Sequence, residues 1–271
     1  MKQGRSGSKT TEIRLKREIH LAILQSDLEW ENPQTNLAYF EQQVISLDEQ
    51  IDLALLPETY STGFTMRVKE FADRDEEVLG WMKRVASGNG VHLAGSCIVM
   101  ENDHYYNRLY CVSPDGGYVY YDKRHLFRMG REQEYFSPGN QRVIVRIGKF
   151  RVLLQICYDL RFPVFARNRG DYDAILYVAN WPAVRNEVWD ILLRARAIEN
   201  QAYVIGVNRT GKDGEGMDHL GGSCLIDPKG NVKARLDDQP GLLLSSMNYS
   251  KLESFRKDFP AAKDADDFKL L

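Results

Sequence analysis

Three apolar runs in this sequence each end in a residue whose chemistry does not belong in a core. Leu53-Ala54-Leu55-Leu56 leads into Pro57-Glu58, Tyr118-Val119-Tyr120-Tyr121 into Asp122-Lys123, and Val152-Leu153-Leu154-Gln155-Ile156 into Cys157. Taken singly, Glu58 reads equally as a capping or solvated carboxylate, Lys123 as a surface charge and Cys157 as an inert buried thiol. Taken together they suit nucleophilic catalysis. A thiol with a free pKa of ~8.5 is mostly protonated at neutral pH, so a cysteine nucleophile needs a base or a neighbouring cation. Glu58 can accept that proton, and Lys123 can balance the charge and donate a hydrogen bond to a tetrahedral oxyanion. The stretch Tyr158-Asp159-Leu160-Arg161-Phe162-Pro163 suits an elbow that leaves a strand and enters a helix near Pro163, a residue accepted in a first turn.

For three strand ends to meet in one pocket they must open on one side of a sheet system, as the carboxyl ends of strands do in α/β folds. From Ile19 onward apolar β-type runs alternate with helix-period stretches, the βαβ rhythm of sheets covered by helices. Strands are predicted at 19–25, 51–56, 91–100, 109–113, 119–122, 142–147, 151–156, 174–179, 203–208, 223–226 and 242–247. Helices are predicted near 33–49, 75–87 and 187–201, the last with Val188, Ile191, Leu192, Ala195 and Ile198 as its buried stripe. Turns are expected at Pro114-Asp115-Gly116-Gly117, Ser137-Pro138-Gly139-Asn140 and Asp227-Pro228-Lys229-Gly230. No linker or repeat divides the chain. The expected organisation is a flexible tail over 1–17, one domain over 18–248 and a C-terminal arm over 249–271. Phe255, Phe259 and Phe268 stand in that otherwise charged arm, which is expected to meet a second subunit or to clasp the chain's own sandwich.

Composition narrows the partners. A net charge of −2 over 271 residues offers no field for a polyanion, which argues against nucleic acid. Cys97, Cys111, Cys157 and Cys224 form no CxxC pair and no metal-ligand cluster is spelled out, so reduced thiols and neither metal nor cofactor are expected. No apolar run approaches the ~20 residues that span a bilayer, and no signal-peptide pattern opens the chain; the expectation is a cytoplasmic protein with no membrane partner.

The strings LALLPETYSTGF (53–64), YDKRHLF (121–127) and QICYDLRFP (155–163) resemble, in that order, the nitrilase superfamily of Glu-Lys-Cys amidohydrolases. YVANWP, RARAIENQAYVIGVNRTG, GGSCLIDPKG and FRKDFPAAKDADDF extend the likeness over nearly the whole chain from Ile19. Within that superfamily the chain is most similar to YafV-type omega-amidases. The resemblance implies a four-layer α-β-β-α sandwich that pairs with a second subunit. It implies cysteine-dependent hydrolysis of a terminal amide to acid and ammonia, with 2-oxoglutaramate or 2-oxosuccinamate as substrate. Another amidase, carbamoylase or nitrilase of the superfamily is the alternative, and a binding protein on the same fold a more distant one. By the same resemblance Glu58 is general base, Lys123 stabilises the intermediate and Cys157 is the nucleophile. Spacing favours Glu132 as the family's second glutamate, with Glu134 left open. Around them we expect the Tyr158 N–H at the oxyanion, Trp181 and Phe64 along the pocket, and Arg128 against a substrate carboxylate. Arg161 is expected to pair with an acidic neighbour.

Overall fold

The computed structural model describes residues 15–73 and 76–269. Along the chain run β1 (Glu18–Gln25), α1 (Pro33–Ile45), β2 (Leu53–Leu55), α2 (Val68–Phe71), α3 (Glu77–Asn89), β3 (His92–Glu101), β4 (His104–Val112) and β5 (Tyr118–Asp122). There follow β6 (Ile144–Ile147), β7 (Phe150–Ile156), α4 (Pro163–Ala166), β8 (Ala174–Val178), α5 (Asn186–Asn200) and β9 (Tyr203–Val207). The remainder comprises β10 (Thr210–Lys212), β11 (Asp218–Leu220), β12 (Cys224–Ile226), β13 (Val232–Arg235), β14 (Gly241–Asn248) and α6 (Tyr249–Asp258).

The strands build two six-stranded sheets, ordered β14-β1-β2-β3-β4-β5 and β13-β12-β9-β8-β7-β6, and a separate β10-β11 hairpin. Parallel strands form both centres, β1-β2-β3 in one sheet and β7-β8-β9 in the other, and antiparallel strands complete the flanks. Strand side chains alternate between faces, and these central strands are apolar on both. Leu21, Ile23, Leu53 and Leu55 pack between the sheets against Leu154, Ile156, Leu176 and Ile205. On the outer face of the first sheet, Leu24, Ala54 and Leu56 meet Phe40 and Val44 of α1 and Met82 and Val85 of α3. On the outer face of the second, Leu153, Ile175 and Tyr177 meet Trp189, Leu193 and Ala197 of α5. The layers are thus helix, sheet, sheet, helix in one domain, as expected.

The buried face of α5 and the extent of β4 differ from expectation. The buried stripe of α5 is Trp189, Leu193 and Ala197, with Arg196 and Asn200, whereas Ile191 and Ile198 are 57% and 53% exposed. Apolar residues nearly encircle this helix, so their spacing alone does not choose a face. Trp189 decides it, through its bulk and its Nε1 bond to the Gly222 carbonyl at 3.1 Å. The polar stretch His104 to Arg108 is strand, lengthening the β3-β4 hairpin beyond its apolar part. The arm begins as α6, buries Leu252 and docks on its own chain, where Arg256 donates to Asp173 at 2.7 Å and to the Gln201 carbonyl at 2.9 Å. Residues 1–14 of the expected tail lie outside the described residues. Lys16 and Arg17 are held to the body: Lys16 pairs with Asp52, Arg17 with Glu253, and the Arg17 carbonyl accepts from the Tyr249 N–H at 2.8 Å. Among the described residues no helix is long and apolar enough to cross a membrane.

Candidate active site

The three strand ends converge. Glu58 follows β2, Lys123 follows β5 and Cys157 follows β7, and all three line one cavity of about 430 Å³. Lys123 donates to Glu58 Oε1 at 2.8 Å and to Glu132 Oε1 at 3.0 Å, and all three side chains are buried. Glu134 instead lies on the surface in an ion pair with Arg131. Of the two glutamates, geometry therefore brings Glu132 to the lysine. The same residue pins its own loop, since its Oε2 accepts from the Phe127 N–H at 2.5 Å.

Backbone conformation aims these groups. Thr59, Arg131 and Cys157 have φ of 42°, 59° and 43°, a left-handed region that costs a non-glycine residue on the order of 1 kcal/mol or more. Each sits at or beside a polar group of the site, where a regular strand or helix would carry the chain past the cavity. After Cys157 the chain makes one 3-10 turn to Arg161, and the helix expected at Pro163 is a single turn with proline in its first position. Asp159 staples this elbow. Its carboxylate accepts from the Ile156 N–H at 2.9 Å, the Tyr121 hydroxyl at 2.8 Å and the His125 N–H at 3.0 Å, tying the cysteine segment to the lysine segment.

Two asparagines complete the cluster. Asn180, two residues beyond β8, donates its backbone N–H to Glu58 Oε2 and its side chain to the Glu58 carbonyl, both at 2.7 Å. Asn107, on β4, donates to Glu58 Oε1 at 2.8 Å. The electrostatics follow from this crowding. Burial pulls the Lys123 ammonium down, but the Glu132 and Glu58 carboxylates outweigh it and hold the side chain charged. One ammonium serves two carboxylates, and burial, opposed by Lys123 and assisted by Glu58, leaves Glu132 above the usual carboxylate range. Burial also pushes the Cys157 thiol well up, Glu58 adds to the shift, and Lys123 only partly opposes it. The resting thiol therefore keeps its proton. A proton leaving Sγ during attack on a bound carbonyl, towards Glu58, avoids adding a third negative charge to this buried cluster.

Phe64, Tyr158 and Trp181 line the cavity, and the Lys123 ammonium lies 5.1 Å from the Phe64 ring centre. Arg128 does not line it; the residue is exposed on a 3-10 turn that directs its neighbours Phe127, Met129 and Gly130 to the wall. The cavity arginines include Arg161, 5.4 Å from the Trp181 ring centre, and Arg185, 5.2 Å from that of Phe127. Arg161 was expected beside an acid, yet among the described residues neither makes an ion pair with Asp or Glu. The turn after Cys157 is tight enough to bring Arg161 back to the wall. Burial draws Arg185 below its ordinary value and Arg161 adds to this, as expected of neighbouring cations. The far wall comes from the β10-β11 hairpin, through Asp213, Glu215, Met217 and His219. The sequence reading missed that wall, because its glycine- and charge-rich segment carries no apolar alternation. Among the described residues no His/Cys/Asp/Glu group has metal-holding geometry.

Comparison with known proteins gives a consistent picture. Residues 20–257 match the carbon-nitrogen hydrolase family. Omega-amidase YafV of Yersinia enterocolitica is 42% identical over 93% of this chain and 99% of its own length. The 2-oxoglutaramate amidase of Bacillus subtilis is 32% identical over 90% of this chain and 96% of its own. Among solved structures, a CN-hydrolase superfamily protein of Xanthomonas campestris, with an arsenic adduct in its active site, superposes with a TM-score of 0.92. It is 37% identical and covers 94% of this chain and 100% of its own.

Proposed function

We propose that this chain, which belongs to the carbon-nitrogen hydrolase family and is a hydrolase of carbon–nitrogen bonds in linear amides, acts on the terminal amide of a small 2-oxo acid, 2-oxoglutaramate foremost. In this reading Cys157 Sγ attacks the amide carbon as Glu58 takes the thiol proton. The oxyanion lies against Lys123 and the Tyr158 N–H. Ammonia departs with the proton from Glu58, leaving a thioester on Cys157. Water, deprotonated by Glu58, then attacks that thioester; the acid leaves and the thiol is regenerated. Glu132 holds the ammonium and the loop in place. No step calls for a metal or an organic cofactor.

The observation that carries the reading is the meeting of Glu58, Lys123 and Cys157 in one small cavity that also presents Arg161 and Arg185 without acidic partners. A guanidinium fork matches a carboxylate in geometry and charge. We assign the substrate's carboxylate to this pair in place of Arg128, with the chain of the substrate along Phe64 and Trp181. We further propose a cytoplasmic homodimer that buries the arm, in which Phe259 and Phe268 remain 61% and 39% exposed in one subunit. The test of function is ammonia release from a panel holding 2-oxoglutaramate, 2-oxosuccinamate, neutral amides, nitriles and N-carbamoyl amino acids. Preference for the 2-oxo acid amides is the expected result. Preference for a neutral amide or a carbamoyl compound would replace the substrate assignment, and no turnover on any would favour a binding protein.

A further inference from the structure

We infer that Asn107 is a positioning residue that holds the acid–base cluster in working register. The residue lies on the core-facing row of β4, whose next members, Leu109 and Cys111, pack between the sheets. An apolar side chain is the ordinary occupant of such a place, because a buried amide is costly unless its hydrogen bonds are made. Asn107 makes them to the reacting groups. Its single Nδ2 donates to Glu58 Oε1 at 2.8 Å and lies 3.5 Å from Glu132 Oε1. Its carbonyl accepts from the Lys123 N–H at 3.0 Å. One residue thus ties together both carboxylates and the backbone of the lysine. Its Oδ1 is buried with no hydrogen-bond partner, so the amide is not placed there to satisfy itself. The two acceptors fix which end of the amide faces the cluster, since a carboxylate accepts and cannot donate to Oδ1.

Asn107 does not line the cavity, so it acts on substrate only through Glu58, Glu132 and Lys123. By fixing Glu58 Oε1 together with Lys123, it leaves the carboxylate one orientation in which to meet the thiol. By reaching towards Glu132, it keeps two like-charged groups at a set separation around one ammonium.

This inference rests on Glu58 as the base, and its test is arranged to separate the two. Asn107→Leu keeps the approximate volume and removes the donor. Asn107→Asp keeps the shape and sets a third carboxyl against Glu58. With 2-oxoglutaramate as substrate, Asn107→Leu is expected to lower kcat about 10- to 100-fold with KM little changed, the fold-change that corresponds to losing one hydrogen bond to a charged group. In Asn107→Asp the crowded carboxylates take up a proton as pH falls, and the protonated carboxyl restores a donor. Its activity relative to wild type should therefore be lowest at alkaline pH and recover towards acid pH. The ratio of the Asn107→Asp to the wild-type rate of Cys157 alkylation by iodoacetamide, which needs no knowledge of the substrate, should show the same recovery although both absolute rates fall with pH. A purely packing role leaves kcat of folded Asn107→Leu at the wild-type level. An unchanged kcat in folded Asn107→Leu, or a flat Asn107→Asp to wild-type ratio across pH, overturns the inference; if the leucine variant does not fold, the aspartate variant decides. Glu58→Gln is assayed alongside. If it is inactive while Asn107→Leu is unimpaired, only the role of Asn107 falls, and if it turns over normally, the base assignment falls first.

Discussion

Replacing Arg161 with methionine tests whether charge selects the substrate. The Arg161 guanidinium lies over the Trp181 ring, 5.4 Å from its centre, and methionine keeps an unbranched side chain at this position while removing the charge and the fork. A guanidinium and a carboxylate ~4 Å apart attract by roughly 4 kcal/mol at an effective dielectric of 20. Arg161 is only partly buried, so water and the cost of desolvating both ions reduce this to about 1.5–3 kcal/mol, the usual net value of a hydrogen bond to a charged group. Expressed as rate, that is about a 10- to 150-fold loss in kcat/KM. The assay compares 2-oxoglutaramate with pentanamide, a neutral amide of the same chain length. The loss should fall on the anionic substrate alone, and Arg161→Lys should lie between the two proteins because it keeps the charge but not the fork. An equal loss on both amides would show that Arg161 shapes the cavity and does not read the carboxylate. No loss on either would move the carboxylate elsewhere.

Cys157→Ala should be folded and inactive. In the wild-type protein, iodoacetamide should label Cys157 more slowly than a free thiol at pH 7 and faster as pH rises, because burial and Glu58 keep the proton on sulfur. Substantial turnover by the alanine variant refutes the mechanism. Glu58→Gln should lose about 10²- to 10⁴-fold in kcat with KM unchanged or lower, since glutamine accepts no proton while the Lys123 charge persists; a stopped-flow assay that finds near-normal turnover removes Glu58 from the chemistry. Light scattering at micromolar concentration should report two subunits. A monomer would leave α6 as an intramolecular clasp alone.

Pattern made some of this molecule legible and hid the rest for physical reasons. The central strands announced themselves because both faces are buried, so β2 reads as an unbroken apolar run and β7 as one interrupted in its second half only by Gln155, and their abrupt reactive ends stood out. Asn107 had no such contrast. It lies in the polar half of the β3-β4 hairpin among His104, Tyr105, Tyr106 and Arg108, where one inward amide cannot be told from outward ones by alternation. Asp159 sat in plain view two residues after Cys157, but its partners, Tyr121 and His125, are remote in sequence. Both Arg128 and Arg161 are cations near reactive strand ends, and the sequence reading assigned the substrate carboxylate to Arg128 and an acidic partner to Arg161, the reverse of what the cavity lining supports. What separates them is the handedness and tightness of single turns, which residue types do not encode. The α5 face was misjudged because a ring of apolar residues leaves the choice to one tryptophan and its partner across the fold.

The site straddles the seam between the two sheets. Glu58, Lys123 and Asn107 belong to the first sheet and the segments leaving it, while Cys157 and Asn180 belong to the second. Under the proposed mechanism neither half of the chain carries a working centre: one holds the proposed base without the proposed nucleophile, the other that nucleophile without a base. Asn180 on Glu58, and Tyr121 and His125 on Asp159, are the rivets that cross the seam. Turnover thus behaves as a gauge of alignment. A perturbation that lets one sheet slip against the other by about 1 Å can silence the enzyme while every strand stays intact, because misplacements of that size already cost catalysis ~10²-fold.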